Sequence, residues 1–239
     1  MSGSKEHHIG LPKKGTIIMI AVLVIMINLL FVSVGDYPED NKIRVAVLLP
    51  FSGGMEEFGI EYARGIEIAV EELNYHVLPG GKTYVVDYFD TKGDTMSLLN
   101  TFFEIYNEGY PVVIGPMTST EALAIAKYAE VLGVVLLSPG ATTDELTEYR
   151  DYVFRTVSSD RYLGLGLGKI VGGNEAFEDI MILHTDDSYG IGLVDLFVEE
   201  LAKYHKEPKA VVEIPLETYE TEFDIDAAVS LMKQINPDA

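Results

Sequence analysis

Two short runs of this 239-residue sequence end in small and hydroxyl-bearing residues: VVIGPMTST, Val112 to Thr120, and VVLLSPGATT, Val134 to Thr143. Hydroxyls and open backbone N–H groups can hold a carboxylate through hydrogen bonds without a buried arginine. Each apolar run is β-branched and too short for a helix, so it reads as a buried strand. A turn alone would need the small residues but not the hydroxyls. Two such endings, one helix apart, predict a shared site. Ser119 falls where a helix begins, so free N–H groups and the helix dipole favour an anion there, although a serine at that position can also be a plain N-cap.

Other constellations with chemical potential do not hold together. GGKT, Gly80 to Thr83, resembles the tail of a phosphate loop but has His76 where the leading glycine belongs and runs into a strand. Gly164, Gly166 and Gly168 imitate a dinucleotide fingerprint inside a helical segment, where close helix packing is the better reading. His184, Asp186 and Asp187 read as a strand end with an acidic loop, not as metal ligands. Ser119 and Ser138 lack a nucleophile elbow and a histidine partner. Asp90 and Asp94 flank a turn and do not match calcium-loop spacing; Asp94 reads as a helix cap. The expectation is a binding protein with no catalytic residues, cofactor or metal.

The chain is 48% apolar, which excludes a disordered segment, and its formal net charge of -21 excludes a nucleic-acid partner. It contains no cysteine, hence no disulfide, thiolate metal site or lipidated cysteine anchor. Thr16 to Val34 holds no charged residue and approaches the ~20 residues that span a bilayer. Lys5, Lys13 and Lys14 precede it and Asp36, Glu39 and Asp40 follow, which predicts a cytoplasmic N-terminus and an exported remainder. The run is longer than the ~7–15 apolar residues of a secretory signal, which favours a retained anchor, though Ser33 and Gly35 would suit cleavage.

These residues need elements to position them. Beyond a linker at 36–42, strands predicted at Ile43–Leu49, Thr83–Phe89, Pro111–Ile114, Val134–Leu137 and Tyr152–Arg155 alternate with helices at Gly59–Asn74, Asp94–Glu108 and Thr120–Leu132. In the first helix Ile60, Ala63, Ile66, Ala69, Val70 and Leu73 share a face. The rhythm restarts after Ser158-Ser159-Asp160, with a helix to about Val171, strands Asp179–His184 and Ala210–Ile214, and helices Ile191–Lys203 and Asp224–Ile235. The prediction is an α/β fold of doubly wound parallel sheets in two lobes, 43–157 and 158–239, preceded by a cytoplasmic segment 1–15 and a membrane segment 16–35. Ligands of open parallel sheets sit beyond the carboxyl ends of the strands, on the loops PFSGGMEEF, DTKGD, GPMTST, SPGATT and HTDDSYG.

With those loops placed, the sequence resembles the type I periplasmic binding proteins, in particular the Leu/Ile/Val-binding branch that serves ABC importers. IRVAVLLPFSGGMEEFG, RGIEIAVEELN, VVIGPMTSTEALAIA, GVVLLSPGATTDELT, YVFRTVSSD and DDSYGIGL carry the resemblance, in family order from Ile43 onward. It implies a two-lobed clamshell that closes on a small amino acid of branched-chain type, with an importer permease as partner. By motif, Ser119, Thr142 and the backbone of Gly140 would hold the ligand's α-carboxylate and amine. Phe58 would line its side chain, and Tyr189 would come from the second lobe. Family members continue past the position of Ala239, so the second lobe is expected to be incomplete, without the acidic residue that pairs with the ligand's ammonium. The same fold serves as the extracytoplasmic sensor of membrane receptors, the alternative to a transport role.

Overall fold

The structure, a computed structural model, describes residues 41–76, 81–215 and 225–238. The Thr16–Val34 run and most of the LPGG turn lie outside the described residues. Among the described residues no helix is long and apolar enough to cross a membrane. Ile43–Ala239 forms one compact unit containing two sheets.

The first sheet takes β1 (Lys42–Leu49), β2 (Thr83–Asp90), β3 (Val112–Ile114), β4 (Val135–Ser138) and β5 (Val153–Arg155) in the order β2-β1-β3-β4-β5. Between them run α1 (Glu56–Tyr75), α2 (Thr95–Asn107) and α3 (Ser119–Leu132), and a 3-10 turn, Asp144–Glu148, precedes β5. β3 lies parallel to β1, with Ala46 opposite Val113, and β4 lies parallel to both β3 and β5. The period of two along β1 sets the two faces. Ala46 and Leu48 pack with Leu98, Phe102 and Ile105 of α2 and Ile125 of α3, whereas Val47 and Leu49 pack with Tyr62 and Ile66 of α1 and with Met117. A strand buried on both faces must be apolar at nearly every position, hence the run VAVLL.

The second sheet pairs β6 (Met181–Thr185) with β7 (Ala210–Ile214) in parallel, flanked by α4 (Asp160–Gly172), α5 (Ser188–Ala202) and α6 (Ile225–Ile235). Element order and type agree with the sequence reading, but four details differ. Helix α1 begins three residues earlier than predicted, at Glu56, and α5 begins at Ser188, which moves Tyr189 from a loop into a helix. The cap at Asp187, whose side chain accepts from the Gly190 N–H, sets that earlier start. The 3-10 turn had no periodic signal to announce it. On the predicted apolar face of α1, Ala63 is buried and Ile66 packs on the core, but Ile60, Ala69 and Leu73 stay exposed, because the sheet ends at β2 and covers only part of the helix.

Of the three glycines read from the sequence as helix packing, Gly164 and Gly168 serve it and Gly166 does not. A Cβ on Gly164 would lie 2.7 Å from Leu196 Cβ, and one on Gly168 would lie 2.7 Å from Glu200 Cβ and 2.8 Å from the Phe197 carbonyl oxygen. Spaced four apart, they let α5 approach the α4 backbone. A Cβ on Gly166 would meet nothing within 4 Å. Gly168→Val should therefore destabilise the protein by about 1–3 kcal/mol through overpacking, while Gly166→Ala should stabilise it by about 0.5–1 kcal/mol by lowering the entropy of the unfolded chain. Urea unfolding of the two variants measures both, and equal effects would contradict this helix contact.

Candidate functional site

The strand order reverses between β1 and β3, whose connections leave in opposite directions, so a crevice opens at their carboxyl ends. Gly115 marks that point. Its φ is +116°, and a Cβ there would collide with the Leu48 carbonyl oxygen, so glycine alone lets the chain leave β3 against β1. The Gly115 N–H still donates to the Leu137 carbonyl at 2.9 Å, which keeps β3 and β4 together to the rim.

The two hydroxyl-rich loops are sewn to each other. Ser138 Oγ donates to the Pro116 carbonyl at 2.6 Å and accepts from the Ala141 N–H at 3.0 Å. Its hydroxyl is thus occupied by the backbone, which explains a buried serine without invoking catalysis. Ser119 Oγ accepts from the Thr143 N–H at 3.3 Å. The helix cap is Thr118, whose Oγ1 accepts from the Glu121 N–H at 3.2 Å. Ser119 is therefore the first helical residue and not the plain N-cap that the sequence allowed. Beyond it, Arg155 Nη1 donates to the carbonyls of Thr142 and Thr143 at 3.1 and 2.6 Å, and the Asp160 N–H donates to Thr142 O at 2.9 Å.

On the other side of the crevice, Asp90 fixes the first loop by accepting from Phe51 N at 2.8 Å, Ser52 Oγ at 2.7 Å and Lys92 N at 2.9 Å. Burial would raise its pKa, but the bonds from Ser52, Lys92 and Phe51 outweigh burial and hold it below the usual carboxylate range. Asp94 caps α2 through the N–H groups of Met96 and Ser97. The two aspartates thus take the turn and cap roles read from the sequence.

A cavity of about 500 Å³ lies over the crevice, lined by Phe58, Ser119, Gly140, Thr142 and Tyr189 together with Met55, Tyr62, Met117, Thr118, Thr185 and Asp187. All five residues singled out from the sequence meet there. Gly140 is a close approach: a Cβ would lie 2.8 Å from the Met117 carbonyl oxygen and 3.0 Å from Tyr62 Oη. Phe58 is 59% exposed and Tyr189 40% exposed, so both present aromatic surface with no protein cover. Tyr189 arrives in the first turn of α5, which the Ser188 N–H ties to Thr120 Oγ1 at 3.1 Å.

Sequence reasoning missed Tyr62, Met55 and Met117. Met55, Phe58 and Tyr62 recur at helical spacing, a signal that the larger apolar stripe of α1 obscured. Asp160 was read only as part of a helix start. It is 3% exposed, burial raises its pKa while hydrogen bonding to Thr142 opposes the rise, and its Oδ2 has no hydrogen-bond partner. A carboxyl with a raised pKa binds more protons folded than unfolded, so its contribution to stability falls as pH rises from the usual carboxylate range through the raised value. Asp160→Asn should accordingly raise the melting temperature at neutral pH, with the gain shrinking as pH falls through the raised value and gone below the usual carboxylate range. Thermal melts across pH test this, and a constant difference at all pH values would refute it.

A family model described as periplasmic binding protein matches residues 42–239. The leucine-specific-binding protein of Salmonella typhimurium is 30% identical over 166 residues, 69% of this chain and 44% of that protein. An uncharacterised protein of Methanocaldococcus jannaschii is 28% identical over 68% of this chain and 41% of its own. The matched stretch thus spans less than half of either relative. Among solved structures, the leucine binding protein LivK of Thermotoga maritima superposes with a TM-score of 0.69 at 25% identity, covering 82% of this chain and 54% of that one. LivJ of Streptococcus pneumoniae, in complex with isoleucine, gives 0.67 at 27% identity, covering 80% and 54%.

Proposed function

We propose, from the premise that the chain belongs to the type I periplasmic binding protein family, that it is the binding part of an extracytoplasmic solute-binding protein that takes a small amino acid of branched-chain type and delivers it to an ABC importer. The observation that carries this reading is the convergence of Phe58, Ser119, Gly140, Thr142 and Tyr189 on one cavity with a hydroxyl-lined end and an aromatic wall. Ser119, Thr142 and the Gly140 backbone hold the α-carboxylate and amine, Phe58 packs on the side chain, and Tyr189 contributes from the second lobe, 158–239. That lobe and the first, 43–157, close because ligand touching both stabilises the closed state selectively. The Thr16–Val34 run anchors the protein to the membrane with this domain outside the cytoplasm.

Thr142→Val keeps the side chain's shape but removes its hydroxyl, leaving a ligand oxygen short of a partner. A hydrogen bond to a charged group is worth roughly 1.5–3 kcal/mol, so affinity should fall about ten- to a hundredfold. Phe58→Ala should weaken leucine more than alanine, since only the larger side chain loses packing. Calorimetry with leucine, isoleucine, valine and alanine reads both; wild-type affinity in Thr142→Val removes that residue from the site, and equal losses in Phe58→Ala remove Phe58 from the side-chain wall. The location has its own test. Protease added to intact cells should digest the domain, and resistance until the cells are broken would refute the exported topology.

A further inference from the structure

A second cavity, about 350 Å³, adjoins the first, and Met55, Thr118 and Asp187 form walls of both. Three acidic residues, Glu121, Asp186 and Asp187, stand on its walls with Thr95, Thr120 and Ser188, and no lysine or arginine does. Acidic walls alone would be an ordinary solvated loop. Glu121 is different. It is only 5% exposed, and its Oε1 is buried without a hydrogen-bond partner.

Helix capping accounts for only half of this side chain. In a capping box the carboxylate three residues past the cap reaches back to the cap's own backbone N–H. Here Glu121 Oε2 accepts from the Thr118 hydroxyl at 3.0 Å, while the Glu121 N–H donates to that same hydroxyl oxygen at 3.2 Å. Oε1 is left over. A buried acceptor without a donor costs stability, more so when the group is charged. A ligand that brings a donor, and still more one that brings positive charge, relieves that cost once the carboxylate turns this oxygen toward the cavity.

We propose that this annexe receives a cationic group at the far end of the ligand's side chain, so that the site takes amino acids ending in an ammonium or guanidinium as well as apolar ones. The inference rests on the reading that Ser119, Gly140 and Thr142 hold the α-carboxylate and amine in the neighbouring cavity. From there the side chain runs past Met55 and Thr118 toward the Glu121 carboxylate. The apolar wall accepts the methylenes, and the acidic wall accepts the terminal donor.

Calorimetry with L-lysine and L-norleucine isolates the terminal group, because the two share an unbranched side chain and differ by the ammonium. The wild-type protein should bind lysine at least about tenfold more tightly than norleucine, as expected for a charged hydrogen bond. Glu121→Gln keeps a side chain that still suits the capping position, and the lysine-to-norleucine affinity ratio should drop about tenfold or more. Thermal melts of the variant monitor folding. Norleucine or leucine binding with no lysine preference in the wild type overturns the annexe while leaving the amino-acid reading intact. A lysine preference that survives Glu121→Gln in a folded variant overturns the role of Glu121. Failure of leucine, norleucine and lysine alike overturns both readings.

Discussion

Gly115 stands against the Leu48 carbonyl at the point where β1 and β3 part. A parallel sheet sends all its strands to one edge, and the reversal of strand order makes neighbouring connections diverge there. A crevice is thus obligatory, but its depth is not. Any side chain at 115 would meet the β1 backbone and push the two strand ends apart. With glycine, β3 stays in register with β1 through Val113 and Ile114, and Met117 to Ser119 line the cavity just beyond the strand.

The floor is rigid because its polar groups are satisfied by neighbours and not by solvent. Ser138 links the two loops, Arg155 holds two carbonyls of the second, and Asp144 binds Arg161 at 2.6 Å and Ser159 at 2.7 Å just beyond it. The Arg161 guanidinium foremost, with Ser159, holds the Asp144 carboxyl below its usual range. Against that background the unsatisfied atoms stand out: Glu121 Oε1, Thr143 Oγ1 and Asp160 Oδ2 all lie in or next to the segments that line the cavity. A buried polar atom without a partner costs on the order of 1–3 kcal/mol.

Much of this was legible beforehand because it rests on short-range rules. The runs VVI and VVLL had only one sensible reading as buried parallel strands, and Asp94 and Ser159 announced their helices as caps. The five cavity residues came from motif resemblance, and the strand-end rule explains why they converge. What escaped notice depends on contacts distant in sequence. Nothing near Glu121 reveals that its second oxygen is buried, and nothing near Asp160 reveals that Thr142 will be its neighbour. The extent of α1 burial also could not be read locally, since it depends on where the sheet stops. Tyr62 was legible in principle, one turn after Phe58, but a helix with two functional faces looks like one with a broad apolar stripe.

The second sheet raises a different physical question, because its two strands and three helices give it little core of their own. Its largest apolar contact is the glycine-lined seam between α4 and α5, and Leu163, Leu167, Ile170 and Leu183 remain exposed beside it. Yet α5 is also the element that carries Tyr189 to the cavity, and its first turn is already tied to α3 by the bond from Ser188 to Thr120. The helix is therefore tied to the first sheet's α3 at its first turn and packed against α4 along its length. A ligand that contacts Tyr189 and the β3 and β4 loops together would add to the bond that joins this helix to α3. In the proposed role, binding energy would go partly into holding the second sheet against the first, which is how a site lined by elements of both makes affinity depend on closure.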